Sequence, residues 1–238
     1  MKVLAIETSS FVASCAVCED EKVLAKFNVS TGLFHSETLM VLVDELFKIS
    51  KIKLEEINAV AVSVGPGSFT GLRIGVAAAK GIAMGLNLPC VGVETLKGLC
   101  YNLVFFNGTV FSCMDARNNF IYFAEFKVLN GVITKTIEDC FIKIEELKEI
   151  LKGKTEKVFL VGDLNIKIFE EIKSYCENLS LAPQALRLPD AASIGFLAME
   201  KLRLKESLEE DVVPKYVKLS QPEEKSIMKN HNKKEEGK

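Results

Sequence analysis

Apolar positions along the chain change period several times, and each change outlines an element. Val3 to Ile6 is an unbroken apolar run, which predicts a short buried strand ending at the hydroxyl-rich Thr8, Ser9 and Ser10. In "FVASCAVCEDEKVLAKFNV" two strand-like runs flank the charged "EDEK", the pattern of a hairpin. From Ser36 to Ser50, Leu39, Leu42, Val43, Leu46 and Phe47 recur at three- and four-residue steps, which predicts an amphipathic helix. "INAVAVSVG" is apolar at nearly every position, as in a strand covered on both faces. A helix from about Ser68 to Gly85 and the strand "LPCVGVE" follow.

After about Asn102 the pattern restarts. "GTVFSCMDA", "NFIYFAEFKV" and "GVITKTI" predict three antiparallel strands. Then come a helix over Lys143 to Leu151, the strand "KVFLVGD", a helix over Asn165 to Cys176, and a last helix from about Ala191 to Lys205. The order strand-strand-strand-helix-strand-helix occurs twice, without detectable identity between the halves. It divides the chain into a lobe over 1–104 and a lobe over 105–222, with the last helix free to pack back on the first. Residues 223–238 are nearly all polar and predict a disordered tail.

One segment departs from ordinary helix composition. "SVGPGSFTGLRIGVAAAKG", Ser63 to Gly81, carries glycine at 65, 67, 71, 75 and 81. A glycine inside a helix costs about 1 kcal/mol relative to alanine, so the placement has a cause. Neither a Walker loop nor GxGxxG is present: no Lys-Ser/Thr follows Gly71, and Gly71 comes one residue late after Gly65-x-Gly67. A helix opening at Ser68, Phe69 and Thr70 directly after a buried strand still offers free N–H groups to an anion. The other cause is close approach, because Gly67, Gly71, Gly75, Ala79 and Ala83 step by four along one stripe. The periodicity admits packing within the chain, packing against a second subunit, or a ligand.

Composition restricts the chemistry further. Thirty Lys and Arg against 32 Asp and Glu leave a formal charge of −2, without the basic excess of a general nucleic-acid-binding surface. The mean hydropathy is +0.20, yet Lys80, Asn87 and Pro89 interrupt the most apolar window, so no membrane span is expected. The apolar run at Val3 is shorter than the roughly 7–15 residues of a secretory signal, and a cytoplasmic location is expected. Seven scattered cysteines suit a reducing compartment. Cys15 and Cys18 would face opposite sides of a strand, which argues against a zinc or redox CxxC.

Chemistry-bearing residues are few. Of the two histidines, His35 opens the first amphipathic helix and His231 lies in the tail. A helical metal pair would need a ligand at Leu39, so no metal site is predicted. "GPGSF" lacks the second glycine of a serine nucleophile elbow. Asp115 and Arg117 in "MDARNN" suit a cleft and a hairpin turn equally. No catalytic residue emerges.

The blocks "AIETSS", "HSETLM", "SVGPGSFTGLRIGVAAAKGIA", "MDARNNFIYFAEF" and "PKYVKLSQ" together resemble the bacterial TsaB family, also called YeaZ, from Met1 to about Glu224. The resemblance implies an α/β fold of two actin-like (ASKHA, ribonuclease-H-like) lobes, each a mixed five-stranded sheet with flanking helices. It implies a part in forming threonylcarbamoyladenosine beside the anticodon of tRNAs, as a subunit inactive alone. The catalyst would be its partner TsaD, whose metal-binding HxxxH is not matched at His35 and Leu39. Pairing with TsaD, or with a second copy when alone, would use the two first-lobe helices, and the ATPase TsaE would join. tRNA would be met only indirectly.

The interface residues so implied are Leu39, Leu42, Val43, Leu46, Gly71, Arg73, Gly75, Ala78 and Ile82. Thr8, Ser9 and Ser10 would form a vestigial nucleotide-side turn. The chain would need no cofactor, with room for ATP or ADP at the joint with TsaD. Lys218 stands where relatives often have arginine, and "HSETLM" lacks a proline common in them. The alternatives are a glycoprotease-like peptidase of the same superfamily and an independent ATP-binding, sugar-kinase-like protein.

Overall fold

Among the described residues, ten strands form two sheets of identical strand order, flanked by six α-helices. The computed structural model describes residues 1–32, 34–205 and 211–217. The first half contributes β1 (Lys2–Glu7), β2 (Ala13–Glu19), β3 (Lys22–Val29), α1 (His35–Ser50), β4 (Ile57–Gly65), α2 (Phe69–Leu86), β5 (Cys90–Glu94) and α3 (Thr95–Tyr101). The second contributes β6 (Gly108–Asp115), β7 (Phe120–Leu129), β8 (Val132–Lys143), α4 (Ile144–Lys152), β9 (Val158–Gly162), α5 (Ile166–Lys173), β10 (Leu179–Leu181) and α6 (Ala191–Arg203). The sheets run β3-β2-β1-β4-β5 and β10-β9-β6-β7-β8. Each joins an antiparallel meander to parallel strands reached through helical crossovers.

The unbroken apolar runs of β1 and β4 follow from double coverage. Leu4, Ile6, Val60 and Val62 face a core under α1 and α2, whereas Val3, Ala5, Ala59 and Ala61 face one under α6. The last helix thus packs on the first sheet. The second sheet is covered by α4 and α5 on one face and by α3 on the other. Cys15 and Cys18 enter opposite cores, and burial pushes each thiol up to about 12, so neither is a thiolate near neutral pH.

Two elements escaped the sequence pattern. α3 is seven residues long and buried nearly all round, so its apolar positions carry no polar face to betray a period. β10 has only three residues. In addition, β8 runs on to Lys143, well past "GVITKTI".

Polar contacts join the halves. Lys135 Nζ bridges Glu94 Oε2 at 2.7 Å and Asp139 Oδ1 at 2.9 Å. Asn102 Nδ2 donates to the Leu186 and Leu188 carbonyls at 2.8 and 2.9 Å. By length and composition α2 is the one described helix that could cross a membrane, but Leu72, Val76, Ala79 and Ala83 are buried, the last three in the first core. The tail at 223–238 and Lys218 lie outside the described residues.

Candidate functional site

The carboxyl ends of β1, β4, β6 and β9 meet at a cleft of about 770 Å³, the usual ligand position in open α/β sheets. Its first-lobe wall is the β1–β2 turn (Ser9, Ser10, Phe11) with the N-termini of α1 and α2; its second-lobe wall is Met114 to Arg117, Tyr122 and Asp163. Ser9 is central to how the first wall is built. Its N–H donates to Glu7 Oε1 at 2.6 Å, and its carbonyl accepts from Ser68 N–H at 2.6 Å. Ser68 Oγ then caps α2 by accepting from Gly71 N–H at 3.2 Å.

His35 also stands at this wall, with Nε2 2.7 Å from the Ser10 carbonyl and Nδ1 buried without a partner. One turn on, Leu39 is 1% exposed within the first core. Glu7 is fully buried, and burial raises its carboxyl above the ordinary range despite the Ser9 contacts. On the opposite wall Asp163 Oδ1 accepts the Asp115 N–H at 2.8 Å, and burial pushes the Asp163 carboxyl up to about 6. Arg117, Asn118 and Asn119 all take left-handed backbone in the adjoining turn.

This arrangement corrects the sequence expectations on several points. Thr8 is not part of a phosphate turn: it is fully buried and its Oγ1 donates to the Gly71 carbonyl at 2.8 Å. Ser10 Oγ accepts from Val12 N–H at 3.1 Å, and of the three residues Ser9 and Ser10 line the cleft whereas Thr8 does not. The serines and helix N-termini of one wall offer hydroxyl and N–H groups to an anion, whereas the other wall sets Asp115 and Asp163 beside Arg117.

The interface residues are also redistributed. Gly71 and Gly75 are sealed within their own lobe, because a Cβ on Gly71 would collide with the Thr8 carbonyl and one on Gly75 with Thr8 Oγ1. Gly67 is closed in the same way by Ser9. Leu39, Val43 and Leu46 are core residues, and Leu42, Ala78 and Ile82 are half-buried against that core. The stripe of four-residue steps is therefore an internal seam between α2 and the β1–β2 turn. Of the named residues Arg73 alone is fully on the surface.

A second small-residue row, overlooked in the sequence, lies on the other side of α2. Ala77, Gly81 and Gly85 are exposed, and no atom lies within 4 Å of where a Cβ on Gly81 or Gly85 would stand. Met84, 79% exposed, flanks this row, and Met40 and Val41 are exposed on α1. The available signal was the second four-residue register, but nothing in one sequence says which register faces inward.

Two lobes of one strand order closing on a cleft at their strand ends define the actin-like ATPase fold. The solved YeaZ of Pseudomonas aeruginosa has it, with a TM-score of 0.72 and 22% identity over 90% of this chain and 99% of that one. Residues 31–231 match the family model described as TsaD: tRNA N6-adenosine threonylcarbamoyltransferase. A Bacillus subtilis protein named tRNA threonylcarbamoyladenosine biosynthesis protein TsaB is 29% identical over 95% of this chain and 98% of its own length. The Escherichia coli protein of the same name is 37% identical over 68% and 71%. The chain belongs to this family, in its TsaB (YeaZ) branch, and its role lies in tRNA threonylcarbamoyladenosine biosynthesis.

Proposed function

We propose that the chain is a non-catalytic subunit that makes a TsaD partner competent for threonylcarbamoyl transfer, pairing with it through the outward face of α1 and α2. The observation that carries this reading is the exposed Met84 beside the open row Ala77, Gly81 and Gly85 on α2, with Met40 and Val41 exposed on the adjoining α1. Two bare helical glycines there cost roughly 2 kcal/mol in helix propensity, and close approach of another backbone is what would offset it. A stable pairing needs about 1,000 Å² or more of buried surface. Leu39 in the core, where a second metal ligand would stand, supports leaving the chemistry to the partner. In the same reading the chain pairs with itself when alone, TsaE joins the pair, and tRNA is met indirectly. Any ATP or ADP sits at the joint, and the site of action is the cytoplasm.

Gly81→Leu tests the face. The substitution has open space in the folded chain, so its unfolding transition should stay at or above that of the wild type. Gly81→Ala should gain about 1 kcal/mol. Co-elution with TsaD should fall at least about tenfold for Gly81→Leu, a loss of about 1.4 kcal/mol, and tRNA modification by the mixture should fall with it. Undiminished pairing by Gly81→Leu, or transfer by this chain without TsaD, would refute the reading.

A further inference from the structure

The segment Asp211–Val217 lies along the flank of α2 as a strap. Val212 is buried in the first core, and Lys215 N–H donates to the Val64 carbonyl at 2.6 Å. Asp211 pairs with Lys80 of α2. The strap ends on an ordered stack: Tyr216 lies on Phe69 with ring centroids 4.8 Å apart, and the Arg73 guanidinium sits 3.8 Å from the Phe69 centroid. Arg73 Nε donates to Tyr216 Oη at 2.9 Å. Arg73 is thus gripped from within on one edge, while its two terminal nitrogens form no ion pair among the described residues. A planar fork held this way has already lost the rotamer freedom that an arginine normally loses on binding.

We infer that the strap is a positioning device that presents Arg73, with Tyr216 as the positioning residue, to a carboxylate on a second copy of this chain docked on the α1–α2 face. This rests on the pairing face proposed above and adds its charge code. The neighbouring helix supplies the acid: Glu37 is exposed on α1 and has no ion pair among the described residues, whereas Asp44 is already paired with Lys48. Lys80, the other cation of that flank, is already neutralised by Asp211. An arginine held ready on one helix and an unpaired acid on its neighbour make such a surface self-complementary. Twofold pairing lets the arginine of each copy meet the carboxylate of the other. The paired fork would make two parallel N–H to oxygen bonds, which a lysine cannot reproduce.

Sedimentation equilibrium of the full chain at low and high salt tests this, with urea unfolding of every variant as a check on folding. The wild type should self-associate, and more weakly at high salt. Arg73→Lys, which keeps the charge but loses the fork, should weaken association about tenfold. Arg73→Gln should remove most of the salt dependence. Tyr216→Phe keeps the ring stack and removes only the hydroxyl; it should weaken association about threefold or more, yet have no further effect when combined with Arg73→Gln. A monomer at all concentrations overturns the inference. So does association unaffected by Arg73→Lys and Tyr216→Phe, or a Tyr216→Phe effect that persists in the Arg73→Gln background. If Gly81→Leu abolishes association while the Arg73 and Tyr216 variants leave it intact, the pairing face stands and only its charge code falls. If Gly81→Leu is without effect, both fall.

Discussion

Gly71→Ala is expected to lower stability by about 2 kcal/mol or more, a fall in Tm of roughly 4–8 °C for a chain of this size. The added methyl group would collide with the Thr8 carbonyl, and a backbone atom at the end of a central strand cannot rotate away. The gain in helix propensity, about 1 kcal/mol, does not offset that. Gly75→Ala meets a side-chain atom instead, Thr8 Oγ1. Its cost should shrink in a Thr8→Ala background, whereas that of Gly71→Ala should not. A double-mutant cycle in urea separates the two. Were Gly75 an interface residue, as the family resemblance implied, Gly75→Leu would spare the fold and abolish pairing. The observed seam predicts the reverse order of failure, with the first lobe destabilised before any partner is met. Wild-type unfolding by Gly71→Ala would show that the seam is looser than described.

Asp163→Asn is expected to stabilise the protein above pH 6, and the sign follows from the carboxyl of Asp163 standing at about 6 in the fold against 3.8 ordinarily. The folded chain holds this proton more tightly than the unfolded one. Its contribution is therefore undiminished below about pH 4 and is lost as the pH rises through 6. The difference corresponds to up to about 3 kcal/mol at neutral pH. Asparagine keeps an oxygen for the Asp115 N–H and carries no charge to desolvate. Urea unfolding at pH 7.5 should favour the variant by about 2 kcal/mol, and the two proteins should converge near pH 4. A variant that is less stable at pH 7.5 would mean that the carboxylate is matched by a cation. Glu7, raised in the same direction by burial, leaves a residual slope of the same sign in both proteins.

Together these two sites show how the cleft is organised. Its first wall is rigid because α2 lies directly on the β1–β2 turn, which needs glycine at 67, 71 and 75. Its second wall holds two carboxylates close together, and burial keeps the proton on Asp163 to higher pH than usual. The proposed pairing face is separate from both, on the side of α2 that points away from the turn. Substitutions can therefore be sorted by which face of one helix they touch.

Periodicity sufficed for much of this. The three-strand meanders, α1, α2 and the crossover strands β4, β5 and β9 follow from apolar spacing, because a run buried on both faces and a stripe at steps of three and four have no other use. The motif blocks indicated the family without help from the fold. Three things were decided only in three dimensions. α3 and β10 are too short, or too evenly buried, to carry a period. Asp163 and Asp115 are forty-eight residues apart and become neighbours only because β6 and β9 pair in parallel. Above all, α2 has small residues in two four-residue registers, 67-71-75 and 77-81-85, and a sequence assigns no direction to either. The strand turn that α2 must cross gives the first register its contact, and by elimination leaves the second to solvent. Spacing determines which residues share a face, but which face is buried depends on what the chain places next to it.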